Sequence, residues 1–129
     1  MIRSITIFLF AFLNGIVGIA QINFVNQSST LGVNISAGNT EYGNGISFCD
    51  FNNDGWDDIS LATQTGNQSE FFLNNQDGTY TRQNFTLSDN DVQGRQLIWV
   101  DYDNDGDKDL YVSGYQTPNK LYRHDGNLN

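Results

Sequence analysis

The stretch Asp101-Tyr-Asp-Asn-Asp-Gly-Asp-Lys-Asp109 puts carboxylates at positions 1, 3, 5 and 9 of a nine-residue frame: Asp101, Asp103, Asp105 and Asp109. Gly106 stands at position 6. Odd-numbered acidic side chains around a tight turn converge on one point, and that point suits a hard cation. Calcium takes six to eight oxygens at about 2.3–2.6 Å from carboxylates, amides, carbonyls and water. Here four side chains and the carbonyl of Asp107 at position 7 supply five oxygens, and water completes the shell. Gly106 permits the positive-φ turn that swings the second half of the frame back to the ion. The same design stands earlier as Asp50-Phe-Asn-Asn-Asp-Gly-Trp-Asp-Asp58, with Asp50, Asn52, Asp54, the Trp56 carbonyl and Asp58. Two copies in 129 residues argue against chance. The alternative, an Asp-rich turn without metal, leaves four or five like charges repelling one another. Loop two offers four ligand carboxylates against three in loop one, so it is expected to bind more tightly.

Other chemistries fit less well. An EF-hand needs a bidentate acid at position 12 and helices on both sides; position 12 is Leu61 in one copy and Val112 in the other, and both flanks are strand-like. Asp57 and Asp107 fall off the side-chain ligand positions and read as solvated groups or as support for the ligands. Cys49 is the sole cysteine, and its counterpart Val100 marks a packing position, so a buried, inert thiol is expected. His124 is the sole histidine, which excludes a His-pair zinc site; it aligns with Gln76 in a turn, which predicts an exposed, dispensable ring. No nucleophile–base pair and no open catalytic metal site can be assembled, so the chain does not read as an enzyme. Trp56 at position 7 offers an exposed indole for a sugar or a partner, with packing on a neighbouring sheet as the alternative reading. Sequons at Asn26, Asn34, Asn67 and Asn84 matter only where Asn is glycosylated.

The elements that must hold these loops are strands. Short apolar runs alternate with Gly, Asn and Asp, Pro118 is the one proline, and no 3.6-residue apolar period is sustained. Ile22–Val25 is expected as a first short strand, and residues 27–44 as a Ser/Asn/Gly-rich loop. Gly45–Asp50 runs into loop one and Ile59–Ala62 leaves it. Glu70–Leu73 follows, then a turn at Asn75–Gly78 and a fourth strand at Tyr80–Leu87. In the second copy Leu97–Val100 enters the loop, Leu110–Val112 leaves it, and Lys120–Arg123 precedes a turn at Asp125-Gly126. The loops start 51 residues apart (50 to 101) and the Asp-Gly turns 48 apart (77 to 125), which predicts a loss of three residues between Val112 and Lys120. A four-stranded unit repeating about every 50 residues is the pattern of propeller blades.

Residues 1–20 read as a signal peptide: basic Arg3, an apolar run from Ile5 to Leu13, and Gly18-Ile-Ala20 before cleavage at Gln21. The run is short for a membrane span and Asn14 interrupts it. Loss of Arg3 takes the formal net charge from −9 to −10, with nine acids inside the two loops. No basic patch exists, which argues against nucleic acid and anionic membranes as partners. With one cysteine, no intrachain disulfide can form, and metal ions are the natural replacement staple.

The strand–DxDxDGxxD–strand unit resembles the FG-GAP/VCBS-type repeat of integrin α-chain propellers and many secreted bacterial proteins, over about residues 43–129. The resemblance implies a seven-bladed β-propeller with Ca²⁺ in the loop between the first two strands of each blade. Asn52 departs from the motif by replacing an acid, and neither copy carries a clear Phe-Gly/Gly-Ala-Pro signature. The expected fold is therefore all-β, a partial β-propeller of about two blades preceded by the signal peptide. Its parts are 1–20, signal peptide; 21–44, N-terminal strand and loop; 45–93, repeat 1; and 94–129, a truncated repeat 2. Two blades close no ring, so further blades are expected outside this stretch. In propellers of this type an N-terminal strand commonly completes the last blade, the place expected for Ile22–Gln27. The expected function is a secreted or cell-surface, calcium-binding module for a protein or carbohydrate ligand. The alternative is a non-catalytic propeller scaffold within a larger secreted enzyme.

Overall fold

The computed structural model describes residues 22–39 and 43–126. The signal-peptide reading of residues 1–20 lies outside them. Among the described residues the architecture is all-β, and no helix is long and apolar enough to cross a membrane. Seven strands form two antiparallel sheets. The first has the order β1 (Ile46–Cys49), β2 (Asp58–Leu61), β3 (Glu70–Asn74), β4 (Tyr80–Gln83). The second has β5 (Gly94–Val100), β6 (Asp109–Gly114), β7 (Lys120–Tyr122). Each acidic loop is the connection between the first two strands of its sheet, so antiparallel pairing fixes both ends of the loop.

The core lies between the sheets, because successive side chains in a strand point to opposite faces. Ser60 and Phe71 face inward from the first sheet; Leu97, Trp99, Leu110 and Val112 face inward from the second. Phe51, just inside loop one, completes an aromatic stack: its ring lies 4.7 Å from that of Trp99 at 21°, with Phe71 edge-on at 6.3 Å. The Trp99 indole Nε1 donates to Ser60 Oγ at 2.8 Å, which pairs the polar tip of a half-buried side chain across the sheets.

The structure corrects several boundaries. Ile22–Val25 is not a strand: it is exposed and pairs with nothing among the described residues. A four-residue apolar run gains strand geometry only from a partner edge. β4 ends at Gln83 rather than Leu87, because Phe85 and Leu87 turn onto the core instead of continuing the ladder. β5 begins at Gly94, through a bulge at Gly94/Gln96. The shortening of the second repeat is also divided differently. Ile59 pairs with Phe72 and Leu110 with Tyr122, so equivalence runs at 51 residues in the first two strands and 50 in the third. One residue is lost before β7 and two after it. Cys49 is half-buried rather than buried, with burial as the main cause pushing its thiol up, and its counterpart Val100 is exposed.

The stretch read as a plain loop has structure of its own. Leu31, Val33, Ile35 and Ala37 are half-buried while Gly32, Asn34 and Ser36 between them are exposed. The Leu31 carbonyl accepts from Tyr80 N at 2.8 Å, at the loop end of β4, and the Ala37 carbonyl accepts from Gln64 N at 3.2 Å, past the far end of β2. Residues 31–37 thus form an arm laid diagonally over the outer face of the first sheet. Phe72 points to that outer face and is still only 2 % exposed.

Candidate metal centres

Both acidic loops fold alike, and the chain's own hydrogen bonds show why. In loop one, Asp50 Oδ1 accepts from Asp54 N at 2.9 Å and Oδ2 from Gly55 N at 2.7 Å. In loop two, Asp101 Oδ1 and Oδ2 accept from Asp105 N and Gly106 N, both at 3.1 Å. Asp54 Oδ1 then takes the Trp56 N–H at 2.9 Å, and Asp105 Oδ1 takes the Asp107 N–H at 3.0 Å. Turning the chain this tightly needs two left-handed residues, at position 4 (Asn53, φ 59°; Asn104, φ 58°) and position 6 (Gly55, φ 91°; Gly106, φ 99°). Asn tolerates that region better than other side chains. Position 4 is Asn in both copies, a signal the sequence reading passed over.

Position 9 has a second task. Asp58 and Asp109 are both 0 % exposed. Asp58 Oδ2 accepts from Phe51 N at 3.2 Å and Oδ1 from Asn74 N at 2.9 Å. Asp109 Oδ2 accepts from Tyr102 N at 3.1 Å and Oδ1 from His124 N at 2.8 Å. Each carboxylate closes its loop and pins it to the end of the third strand. The pairing makes His124 the equivalent of Asn74, not of Gln76. Its ring is half-buried, with both nitrogens shielded and without hydrogen-bond partners among the described residues, beside a cavity of about 250 Å³ lined also by Trp99, Leu110 and Tyr122. The expectation of an exposed ring fails because the two-residue loss after β7 draws His124 against loop two.

In loop two, ligand oxygens of Asp101, Asp103 and Asp109 lie within 4.8 Å of one another. That spacing matches carboxylates on one cation with oxygens at about 2.3–2.6 Å. Asp103, although exposed, is held above the usual carboxylate range, by reduced hydration first and then by the charges of Asp105 and Asp109. A cation would relieve that repulsion. Asp105 stands outside this trio, and Asp107 is half-buried with its backbone N–H on Asp105. Loop one has Asp50, Asn52 and Asp58 at the same positions, two carboxylates and an amide oxygen. Burial, above all, pushes Asp58 up, opposed by its two N–H bonds. Asp54 is instead held low, first by the Trp56 N–H and then by the Asn52 amide. An all-oxygen set of this kind fits a hard cation, with Asp50, Asn52, Asp54 and Asp58 in one loop and Asp101, Asp103, Asp105 and Asp109 in the other as the residues that would hold it.

The loops are neighbours. Asn53 Nδ2 donates to the Gly106 carbonyl at 3.3 Å, so both open at the same end of the sheets. Trp56 and Tyr102 project there as exposed aromatics, and Asp57 is exposed while its carbonyl accepts from Asn74 Nδ2 at 3.1 Å.

Comparison with known proteins agrees with this geometry. Residues 50–112 match the family model of the FG-GAP-like repeat, from position 1 of loop one to β6 of the second sheet. No curated protein and no solved structure matches the chain. The matched stretch holds both acidic loops, β2 to β5 and most of β6, and residues 50–112 of this chain are an FG-GAP-like repeat.

Proposed function

We propose that the chain is a calcium-binding β-propeller repeat module, secreted or at the cell surface, which binds a protein or carbohydrate and performs no chemistry of its own. The observation that carries this reading is the convergence of Asp101, Asp103 and Asp109 in a loop that joins two strands. The ligands come from one short segment and all three are tied into backbone bonds, so the cation's task is to order the join between strands. Loop one repeats the design with one amide in place of an acid. The exposed Trp56 and Tyr102 beside the loops are the surface offered to a ligand.

Calcium titration by calorimetry tests the metal. Two sites are expected, with loop two the tighter, and affinities of about 10⁻⁴–10⁻³ M suit extracellular modules. Mg²⁺ should substitute poorly, since it demands octahedral oxygens at about 2.0–2.1 Å. A titration without binding heat, together with a melt unchanged by chelator, would remove the calcium reading. Binding to a glycan or extracellular-protein array that Trp56→Ala and Tyr102→Ala leave intact would remove the assigned ligand surface.

A further inference from the structure

Loop two turns on Gly106, at φ 99°, and the backbone there is held from three sides. The Gly106 N–H donates to Asp101 Oδ2 at 3.1 Å, and the next N–H, that of Asp107, donates to Asp105 Oδ1 at 3.0 Å. The third bond comes from outside the loop. The Gly106 carbonyl accepts from Asn53 Nδ2 at 3.3 Å, and Asn53 belongs to loop one, 53 residues earlier. That carbonyl and the Asp107 N–H are the two ends of one planar peptide unit. Bonds at both ends fix the rotation of the plane. A Cβ added at Gly106 would meet nothing within 4 Å, so no packing takes over that task. The plane leads directly into Asp107, whose carbonyl is the position-7 oxygen expected for the cation.

Asn53 makes this reach from a preset backbone. Its φ of 59° is left-handed, and Asp50 holds the N–H groups of Asp54 and Gly55 immediately after it. Little conformational freedom remains to be lost when the side chain bonds. The two loops are also kept side by side from behind. Gly45, just before β1, lies against the Arg95 and Gln96 backbone of β5, so the strands that enter the loops run as neighbours. We propose that Asn53 is a positioning residue for the cation of loop two, acting from the neighbouring loop through the Gly106 carbonyl. The proposal rests on the calcium reading of loop two and adds a residue outside its nine-residue frame. A neutral hydrogen bond is worth roughly a factor of two to ten in an equilibrium constant. An exposed bond of 3.3 Å belongs in the lower half of that range, so loss of the Asn53 amide should weaken loop two roughly two- to fivefold.

Calcium titration of the isotope-labelled chain by heteronuclear NMR tests this, because the Gly55 and Gly106 amides report the two loops separately. Asn53→Gly keeps the positive φ without strain and removes the donor. The Kd read at Gly106 should rise roughly two- to fivefold. It is read on folded chain, so a loss confined to stability would leave it unchanged. Asn52→Ala is the contrast: it takes an amide oxygen from loop one and spares the Asn53 side chain. It should raise the Kd read at Gly55 and leave that at Gly106 as it was. In this second variant the Asn53 side-chain NH₂ resonances should move with the Gly106 amide. Should Asn53→Gly lose the dispersion of a folded spectrum, Asn53→Ser, with a shorter side chain, takes its place. An unchanged Kd at Gly106 without the Asn53 amide would overturn the proposal. So would an equal weakening of loop two by Asn52→Ala, or Asn53 resonances that follow Gly55 instead. A Gly106 amide that calcium does not move in the unaltered chain would overturn the calcium reading and the proposal with it, before any variant is made.

Discussion

Asp109→Asn separates the two tasks of position 9. The carboxylate is fully buried and accepts the Tyr102 and His124 N–H groups. The amide keeps one acceptor oxygen but turns its NH₂ toward the other donor. Hydrogen bonds to charged groups are worth about 1.5–3 kcal/mol, and a buried donor left unpaired costs about 1–3 kcal/mol. The substitution should therefore lower stability by roughly 2–4 kcal/mol even in chelator, a large share of the stability of a small domain. Asp103→Ala is the contrast. Asp103 is exposed and already pushed up, by reduced hydration first and then by Asp105 and Asp109, so its removal should leave the metal-free melt unchanged or slightly raised. Calcium at 100 times its Kd adds about 2.7 kcal/mol per site to the folded state. Loop two's share of that gain should be lost in both variants and loop one's retained. The assay is urea unfolding followed by tryptophan fluorescence, with Trp99 stacked on Phe51 as the reporter, run in excess chelator and in excess Ca²⁺. If Asp109→Asn in chelator is as stable as the unaltered chain, the stapling role is refuted. If Asp103→Ala keeps the whole calcium gain, the cation does not sit among these three carboxylates.

Trp99→Phe should cost roughly 1–2 kcal/mol, the hydrogen bond to Ser60 Oγ, while Trp99→Ala should cost roughly 3–5 kcal/mol, the stack as well; equal losses in a thermal melt would show that the ring does not hold the sheets together. Gly45→Ala should be worse than Gly106→Ala. A Cβ at Gly45 would stand 2.3 Å from the Arg95 carbonyl oxygen, forcing backbone apart at roughly 2–3 kcal/mol, whereas at Gly106 it meets nothing within 4 Å and only the φ of 99° resists it, at about 1 kcal/mol. Tyr122 is pushed up to about 12, by burial first and then by Asp89 and Asp91. Its folded state holds the proton more tightly than the unfolded state, whose phenol titrates near 10. The stability so contributed is complete below pH 10 and lost as pH rises through 12. Tyr122→Phe should flatten that alkaline loss, and a spectrophotometric titration should find one phenol ionising after the rest.

The acidic loops were legible because their Asp and Asn side chains lie within nine residues and the turn chemistry repeats. The strand framework was legible for the same local reason, since alternation and Gly/Asp turns mark each hairpin. What failed depends on partners far away in sequence. Ile22–Val25 has the composition of a strand, but no edge receives it. Leu31, Val33, Ile35 and Ala37 alternate plainly, yet the Ser, Asn and Gly between them spoke for a loop, and only the bare face around Phe72 explains the arm. The place of His124 turns on which side of β7 the second repeat loses its residues, and counting between Asp-Gly turns cannot divide three into one and two. Asp105 Oδ1 also accepts the Asp107 N–H, a backbone bond that spacing alone does not reveal.

The arm also sets the order in which this protein would come apart. It is fastened to the first sheet by Tyr80 N–H at one end and Gln64 N–H at the other, both outside the central ladder. Segments held by few bonds open at far lower free energy than the strands beneath them. The Tyr80 and Gln64 amides should therefore take up deuterium together, ahead of the Ile59 and Phe72 amides in the β2–β3 ladder. Each such opening bares Phe72 without melting a sheet, so the first surface shown to a protease or a chaperone is an aromatic side chain on an otherwise folded molecule.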